Sequence, residues 1–362
     1  MSARVPDVRQ YVPVLFPRDA VGNHALATRR ALRRAGMSGR TWAEHYDPRL
    51  ALSVRRCRGH GHPPPSARTV LLYQASTGSE GMADLLLRLP GQLAIYYHNI
   101  TPSRFFGPYD GVAAGSMRRG ARELRALIER TALAFAASEY SAAELRELGV
   151  RDVRHMPPYY PASVGRPASA YLDRLRRTKR GVDLLFVGRL APHKGQLDLI
   201  RAAAVLRSGL GRPVRLFLVG AEGPHNYLRA IRYQIDRLGM RHAVVMTGLV
   251  SQAQLAAHYQ AADAFVCLSE HEGFGIPVLE AMRAGLPVLA RDAAAVGETL
   301  GGAGVLLGDA APLLVAETIA RVLADEPLRD QLVLCQRRRA AAVDAFDRDA
   351  VLLSAMRELA DR

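Results

Sequence analysis

AFVCLSEHEGFGIPVLEAMRAGLPVLA, residues 264–290, is the stretch on which the fold turns. AFVCLS is a short apolar run, as expected of a strand buried on both faces. Pro277 suits the first turn of a helix, where its missing N–H costs nothing. PVLA then reads as another buried strand. A buried strand that ends in acid and glycine, with Glu280 expected in the first turn of the helix behind it, calls for a chemical reason.

The same alternation extends in both directions. YVPVLF (11–16), TVLLYQA (69–75), QLAIYYHN (92–99) and ALAFAAS (132–138) read as strands in the first half. DLLFVGRL (183–190), VRLFLVGA (214–221) and AVVMTG (243–248) read as strands in the second. ALATRRALRRAG, GSMRRGARELRALIERT, GQLDLIRAAAVLRSG and SQAQLAAHYQAAD lie between them, with apolar residues three and four apart. Strand and helix in alternation imply parallel sheets covered by helices, with ligands outside the carboxyl ends of the strands. The 362 residues, 49% of them hydrophobic, suffice for two cores. The Pro-, Ser- and charge-rich segment 157–181 marks the break. We therefore expect one domain over 1–165, a linker over 166–181 and a second domain over 182–345. The basic run RLRRTKR is read as a solvated face of that linker.

Cys57, Cys267 and Cys335 are too few and too scattered for a disulfide framework or a zinc site. Cys267 reads as a buried thiol. His60 and His62 in GHGHPPP lack partners at metal spacing and read as loop. No run of 18 apolar residues is present and no secretory signal is evident, so a cytoplasmic protein is expected. The formal charge of +15 is uneven. Residues 1–180 hold 29 Lys+Arg against 14 Asp+Glu, whereas residues 181–362 hold 20 of each. A basic half suits an anionic surface such as a membrane, although an arginine-rich composition alone accounts for such a count. Nucleic acid is not expected, because no groove-reading or aromatic motif accompanies the charge.

Lys179 and Lys194 are the only lysines in the chain. Lys194 stands in FVGRLAPHKGQLDLI (186–200), where a strand ends at Gly188, Arg189 follows, and a helix begins after Gly195. Two cations and a helix N-terminus suit a diphosphate, and a basic helix-capping turn suits the same residues equally. The GxxxxGK[ST] spacing of a Walker loop is absent. In EGFGIPVLE, Gly273 and Gly275 let backbone come close to a ligand. Glu280 can accept hydrogen bonds from vicinal hydroxyls, and Glu272 stands near the reacting end of such a ligand. Complementing the helix dipole is the alternative reading of both acids.

Glu272 and Glu280 after an apolar strand, with EGFG at the head, resemble the signature of family-4 retaining glycosyltransferases of the GT-B fold. VGRLAPHKG resembles that family's phosphate loop, and MTGLVSQAQLAAHYQAADAFVCLSEHEGFG follows its motif order. The resemblance covers roughly residues 181–345. It is looser in the first half, where YYHNITPSRFF places His98 as the family's active-site histidine. FPRDAVGNHALATRRALRRAG retains only Gly22 of the usual glycine pair, and AFDRDAVLLSAMREL (345–359) resembles a helix crossing back to the first domain, so 346–362 is expected to do so. The resemblance implies an α/β GT-B fold: two Rossmann-like, doubly wound parallel-sheet domains facing across a cleft, the first for the acceptor and the second for the nucleotide sugar.

It further implies that Arg189 and Lys194 hold the diphosphate, that Glu280 binds the ribose, and that Glu272 positions the donor sugar. Gly22, Gly188, Gly248, Val250, Gly273, Phe274, Gly275 and Ile276 complete the implied donor site, and His98, Glu272, Arg189 and Lys194 the implied catalytic set. The implied reaction is retaining transfer of a hexose-type sugar from a GDP- or UDP-linked donor to a glycan or lipid-linked acceptor, in surface polysaccharide or glycolipid synthesis. No metal or other cofactor is expected. The one DxD, Asp347-Arg348-Asp349, reads as acid at a helix start. The alternatives are an inactive sugar-nucleotide-binding subunit, motivated by Gly22 without its usual neighbour, and a sugar-nucleotide epimerase.

Overall fold

The apolar runs pair as parallel strands in two separate sheets. The computed structural model describes residues 5–17, 19–57, 65–161, 164–211 and 213–362; His60 and His62 lie outside them. The chain divides into two units, one of Met1–Arg104, Val112–Tyr160 and Phe346–Arg362, the other of Phe105–Gly111 and Pro161–Ala345.

The first unit holds seven strands: β1 (Val8–Leu15), β2 (Arg40–Tyr46), β3 (Arg55–Arg56), β4 (Val70–Ala75), β5 (Gln92–Tyr97), β6 (Thr131–Ala136) and β7 (Val153–His155). They are ordered β3-β2-β1-β4-β5-β6-β7, and all pairings are parallel. All six residues of β4 are buried, so this strand can only be apolar or internally hydrogen-bonded. Helices Met82–Arg88, Gly111–Ile128 and Glu139–Glu147 contribute Met82, Leu86, Leu124, Leu127 and Leu145 to the core against Tyr73, Ile95 and Ala134. The last helix, Arg348–Asp361, buries Leu352, Ala355, Met356 and Leu359 and is fastened by Arg154–Glu358 (2.7 Å) and Arg34–Asp349 (2.8 Å). Asp347 caps this helix, accepting from the Ala350 N–H at 2.8 Å, and Asp349 accepts from the Tyr159 hydroxyl at 2.7 Å. The DxD is helix-start acid.

The second unit holds six strands: β8 (Val182–Val187), β9 (Val214–Val219), β10 (Val244–Gly248), β11 (Ala264–Cys267), β12 (Val288–Arg291) and β13 (Val305–Leu307). Their order, β10-β9-β8-β11-β12-β13, is again all parallel. Both sheets thus follow the doubly wound Rossmann order, reversing direction at β1/β4 and at β8/β11, where ligands bind at the carboxyl ends. The expected α/β class is the observed one. Cys267 is a buried free thiol, and burial pushes its pKa up to about 11.

Segment 166–181 is helical where a linker is expected, and Arg174, Arg176, Arg177 and Arg180 of its basic run are exposed. Ser169–Arg177 is a helix of the second unit that buries Leu172 and Leu175. Arg215 holds its last turn, donating to the Leu175 carbonyl (3.1 Å) while pairing with buried Asp183 (2.6 Å). Phe105–Gly111, expected within the first domain, belongs to the second unit: Tyr109 packs edge-on against Tyr227, and Asn226 donates to the Tyr109 carbonyl at 3.0 Å. No helix among the described residues is long and apolar enough to cross a membrane.

Candidate active site

The second unit gathers most of the singled-out residues at the carboxyl ends of β8 and β11. After β8 the chain turns through Gly188, and the Gly188 N–H donates to the Val219 carbonyl at 2.9 Å. Next along the sheet, the Gly220 N–H donates to the Gly248 carbonyl at 3.2 Å. Gly188 and Gly248 therefore stand on three laced strand ends, with Val250 half-buried just beyond. Residues 192–194 form a single 3-10 turn that ends at Gly195 with φ +68°. A β-carbon on Gly195 would lie 2.2 Å from the Leu268 carbonyl oxygen. Only glycine lets this loop press against the end of β11. The Glu270 N–H donates to the His193 carbonyl at 2.8 Å and completes the seam between the two loops.

That seam places Lys194 Nζ 2.7 Å from Glu272 Oε2, with side chains 19% and 13% exposed. A charge-assisted pair this shielded is strong and directional. Arg189 is exposed and makes no ion pair among the described residues; its carbonyl accepts from the buried Gln196 amide at 3.0 Å. His193 is buried between them, and burial followed by the charges of Lys194, His271 and Arg189 holds it well below the usual imidazole range.

The glutamate loop is fixed from behind. The Glu272 carbonyl accepts from the Ala295 N–H at 3.2 Å, and the Phe274 carbonyl accepts from the Thr299 hydroxyl. Ala294 takes φ +51°, a left-handed conformation costly for alanine, next to the residue that holds Glu272. Gly275, φ +92°, starts the helix Ile276–Ala284. Among the described residues, the backbone N–H groups of Gly273, Gly275 and Ile276 have no protein acceptor, so the first turn is able to receive an anion.

Glu280 departs from expectation. It is the fifth residue of its helix, not in the first turn, so the dipole does not explain it. It faces inward, 9% exposed, and Tyr259 of the Gln252–Ala261 helix donates to its Oε2 at 2.8 Å. Burial raises its pKa, and the Tyr259 hydrogen bond opposes that rise. A carboxylate held by one donor in a dry setting keeps lone pairs for hydroxyl donors of a ligand. Tyr259 is invisible as a site residue in sequence, being one more large side chain in the helical run SQAQLAAHYQAAD.

Gly22 and His98 belong to the first unit. Gly22 lies in the first turn of the helix Ala20–Arg34, where a β-carbon would stand 1.9 Å from the Phe16 carbonyl oxygen. Its smallness thus serves the close packing of the β1 loop. His98 follows β5, half-buried, with its Nε2 2.7 Å from Gln74 Oε1; burial pushes it down to about 3. Among the described residues no group of three or more His, Cys, Asp or Glu side chains is arranged to hold a metal ion.

Residues 171–338 match the family Glycosyl transferases group 1. An uncharacterized glycosyltransferase of Methanocaldococcus jannaschii is 36% identical over 152 residues, 41% of this chain and 38% of that protein. A GDP-mannose:cellobiosyl-diphosphopolyprenol alpha-mannosyltransferase of Xanthomonas oryzae is 42% identical over 115 residues, 31% of this chain and 29% of that protein. The chain spans less than half the length of these relatives. The solved structure of Anabaena HepE, in complex with UDP and glucose, superposes with a TM-score of 0.73 at 17% identity, over 98% of this chain and all of that one. At that identity the likeness is one of fold, and it extends to both units. The match to the group 1 glycosyl transferases falls on residues 171–338, which carry the Lys194–Glu272 pair and Glu280.

Proposed function

We propose that this protein transfers a hexose-type sugar from a GDP- or UDP-linked donor to a glycan or lipid-linked acceptor, with retention of configuration and without a metal. The observation that carries the reading is the shielded Lys194–Glu272 pair, set beside exposed Arg189 and unpartnered N–H groups at a helix start. As the bond from the anomeric carbon to the diphosphate breaks, negative charge grows on the leaving phosphate. Arg189, Lys194 and the Gly273–Ile276 backbone meet that charge with preorganised donors. Glu272, oriented by Lys194, accepts from donor-sugar hydroxyls, and Glu280 accepts from the ribose. The acceptor hydroxyl attacks the anomeric carbon from the leaving-group face, and its proton passes to the departing phosphate oxygen. The relative named for GDP-mannose and the neighbour bound to UDP support a nucleoside-diphosphate donor. The first unit is assigned the acceptor.

Thermal shift with UDP, GDP, ADP and dTDP, each with and without EDTA, tests this reading. One diphosphate should raise the melting temperature in proportion to the logarithm of its concentration, unaffected by EDTA. Lys194→Ala should abolish the shift at the same concentration and lower kcat/KM by about 100-fold, the scale of a lost charged donor at a developing anion. No shift with any diphosphate would overturn it.

The basic first half is assigned to an anionic membrane surface. Arg29, Arg33, Arg40 and Arg55 line a cavity of about 330 Å³, and none of them forms an ion pair among the described residues. Leu52 on its rim is fully exposed. Uncompensated cations beside an exposed aliphatic side chain suit anionic headgroups over acyl chains. Co-sedimentation with phosphatidylglycerol vesicles, lost in salt and in Arg29→Ala/Arg33→Ala and absent with phosphatidylcholine, is the expected result. Equal binding to both lipids would overturn it.

A further inference from the structure

Two glutamines, Gln10 on β1 and Gln74 on β4, sit with no exposed surface in the middle of the first sheet. Buried amides are costly unless every bond is made, and here the bonds have a direction. The Gln10 amide nitrogen donates to the Ala25 carbonyl at 3.0 Å and to the Thr41 hydroxyl at 3.2 Å. A carbonyl can only accept, so the Gln10 orientation is settled. Gln10 Oε1 therefore accepts, from the Gln74 nitrogen at 2.9 Å. That leaves Gln74 Oε1 facing His98 Nε2 at 2.7 Å, and two lone pairs cannot meet at that distance, so Nε2 carries the hydrogen.

The surroundings favour the neutral ring. His24 lies 5.0 Å from His98 between ring centroids, and Tyr96 lies 4.6 Å away. His24 accepts the Tyr159 N–H at its own Nδ1 and is held neutral by burial, His98 and Arg348. No carboxylate hydrogen-bonds the His98 ring among the described residues. Its Nδ1 has no protein partner among them and is not sealed from solvent.

We propose that Gln74, oriented by Gln10, is a positioning residue that locks His98 as the Nε2–H tautomer and presents Nδ1 as a hydrogen-bond acceptor to a hydroxyl group of the sugar substrate. The inference rests on the reading of His98 as a substrate-contacting group. A lone pair at Nδ1 accepts from a hydroxyl, and the other tautomer or the imidazolium would not.

Long-range proton–nitrogen NMR of the full chain labelled in histidine nitrogen tests the lock directly, His98 being assigned by the signals missing from His98→Ala. Wild type should show protonated Nε2 and bare Nδ1. Gln74→Met should show a mixture of tautomers and about a tenfold lower kcat/KM, the scale of one hydrogen bond. Gln74→Glu keeps the acceptor, so the tautomer should hold while the acid limb of the kcat/KM profile moves to higher pH. Protonated Nδ1 in wild type, or an unchanged tautomer in Gln74→Met, would overturn the lock. If the lock stands and His98→Ala transfers sugar at the wild-type rate, the role assigned to His98 fails and the donor reading at Lys194 is untouched.

Discussion

Tyr259 and Glu280 show how one hydroxyl can tune a buried carboxylate. The Tyr259 hydroxyl is the donor that opposes the upward pull of burial on Glu280. Tyr259→Phe removes it without removing the ring. Glu280 then titrates closer to neutral pH, and a protonated carboxyl is a poorer acceptor for ribose hydroxyls. We expect nucleoside diphosphate to bind Tyr259→Phe about tenfold more weakly at pH 7, one charge-assisted hydrogen bond, with the deficit shrinking as pH rises. Calorimetric titration at pH 6.5 and 8.5 checks this, and equal affinity to wild type at both values would remove Tyr259 from the site. At this scale Lys194 and Glu272 were legible in sequence: one is a rare lysine in an arginine-rich chain, the other an acid beside glycines after a buried strand. Tyr259 and Gln74 were not, because their partners lie 21 and 24 residues away and a lone Tyr or Gln in an apolar run carries no local signal.

Elements depend on where backbones touch. Gly195 joins a left-handed φ to a 2.2 Å approach on Leu268, so Gly195→Ala must both strain its backbone and push the 192–194 turn off the β11 end. We expect it to cost about 2 kcal/mol of stability and to weaken diphosphate binding by displacing Lys194 from Glu272. Gly275→Ala shares the positive φ but its β-carbon would meet only the Val278 side chain, no nearer than 3.6 Å, so its stability loss should be smaller, about 1 kcal/mol. Thermal melts of both variants with and without nucleotide separate the two. If Gly195→Ala melts and binds like wild type, the seam between the loops is not what holds Lys194. The long apolar strands were readable because strands buried on both faces are continuous apolar runs. β2, RTWAEHY, was not, since only Thr41, Trp42 and Ala43 are buried in it. The Ser169–Arg177 helix was read as linker because Leu172 and Leu175 are its only buried residues among four charged ones.

At the scale of the chain, Phe346–Arg362 joins the first unit and Phe105–Gly111 the second, each far in sequence from most of its unit, and periodicity cannot report such partnerships. A shared physical property of both units is a set of histidines whose imidazole pKa is depressed. His24 and His98 lie in the first, His193 and His258 in the second, and burial is the largest cause of depression in all four. His98 is pushed down to about 3 and His258 to about 4. In the unfolded chain an imidazole titrates near ~6.5. Between these values the unfolded state binds more protons than the folded one, so stability rises with pH and is lost as pH falls from about 6.5 toward 4. Glu123, Glu144 and Glu280, raised chiefly by burial, act with the opposite sign over the carboxylate range, so a single-residue difference is needed to isolate the effect. His258 is 1% exposed and bonded through Nε2 to the Tyr171 hydroxyl at 3.0 Å. Relative to His258→Gln, wild type should lose about 2 kcal/mol more stability between pH 8 and pH 5. Trp42, the one tryptophan, is buried in the first unit, so its fluorescence follows that unit while circular dichroism follows both. In urea denaturation the His258→Gln difference should appear in the circular dichroism transition and leave the Trp42 transition in place. Equal pH losses in wild type and variant would mean that His258 is charged in the folded protein, and its burial against Phe217 would have to be abandoned.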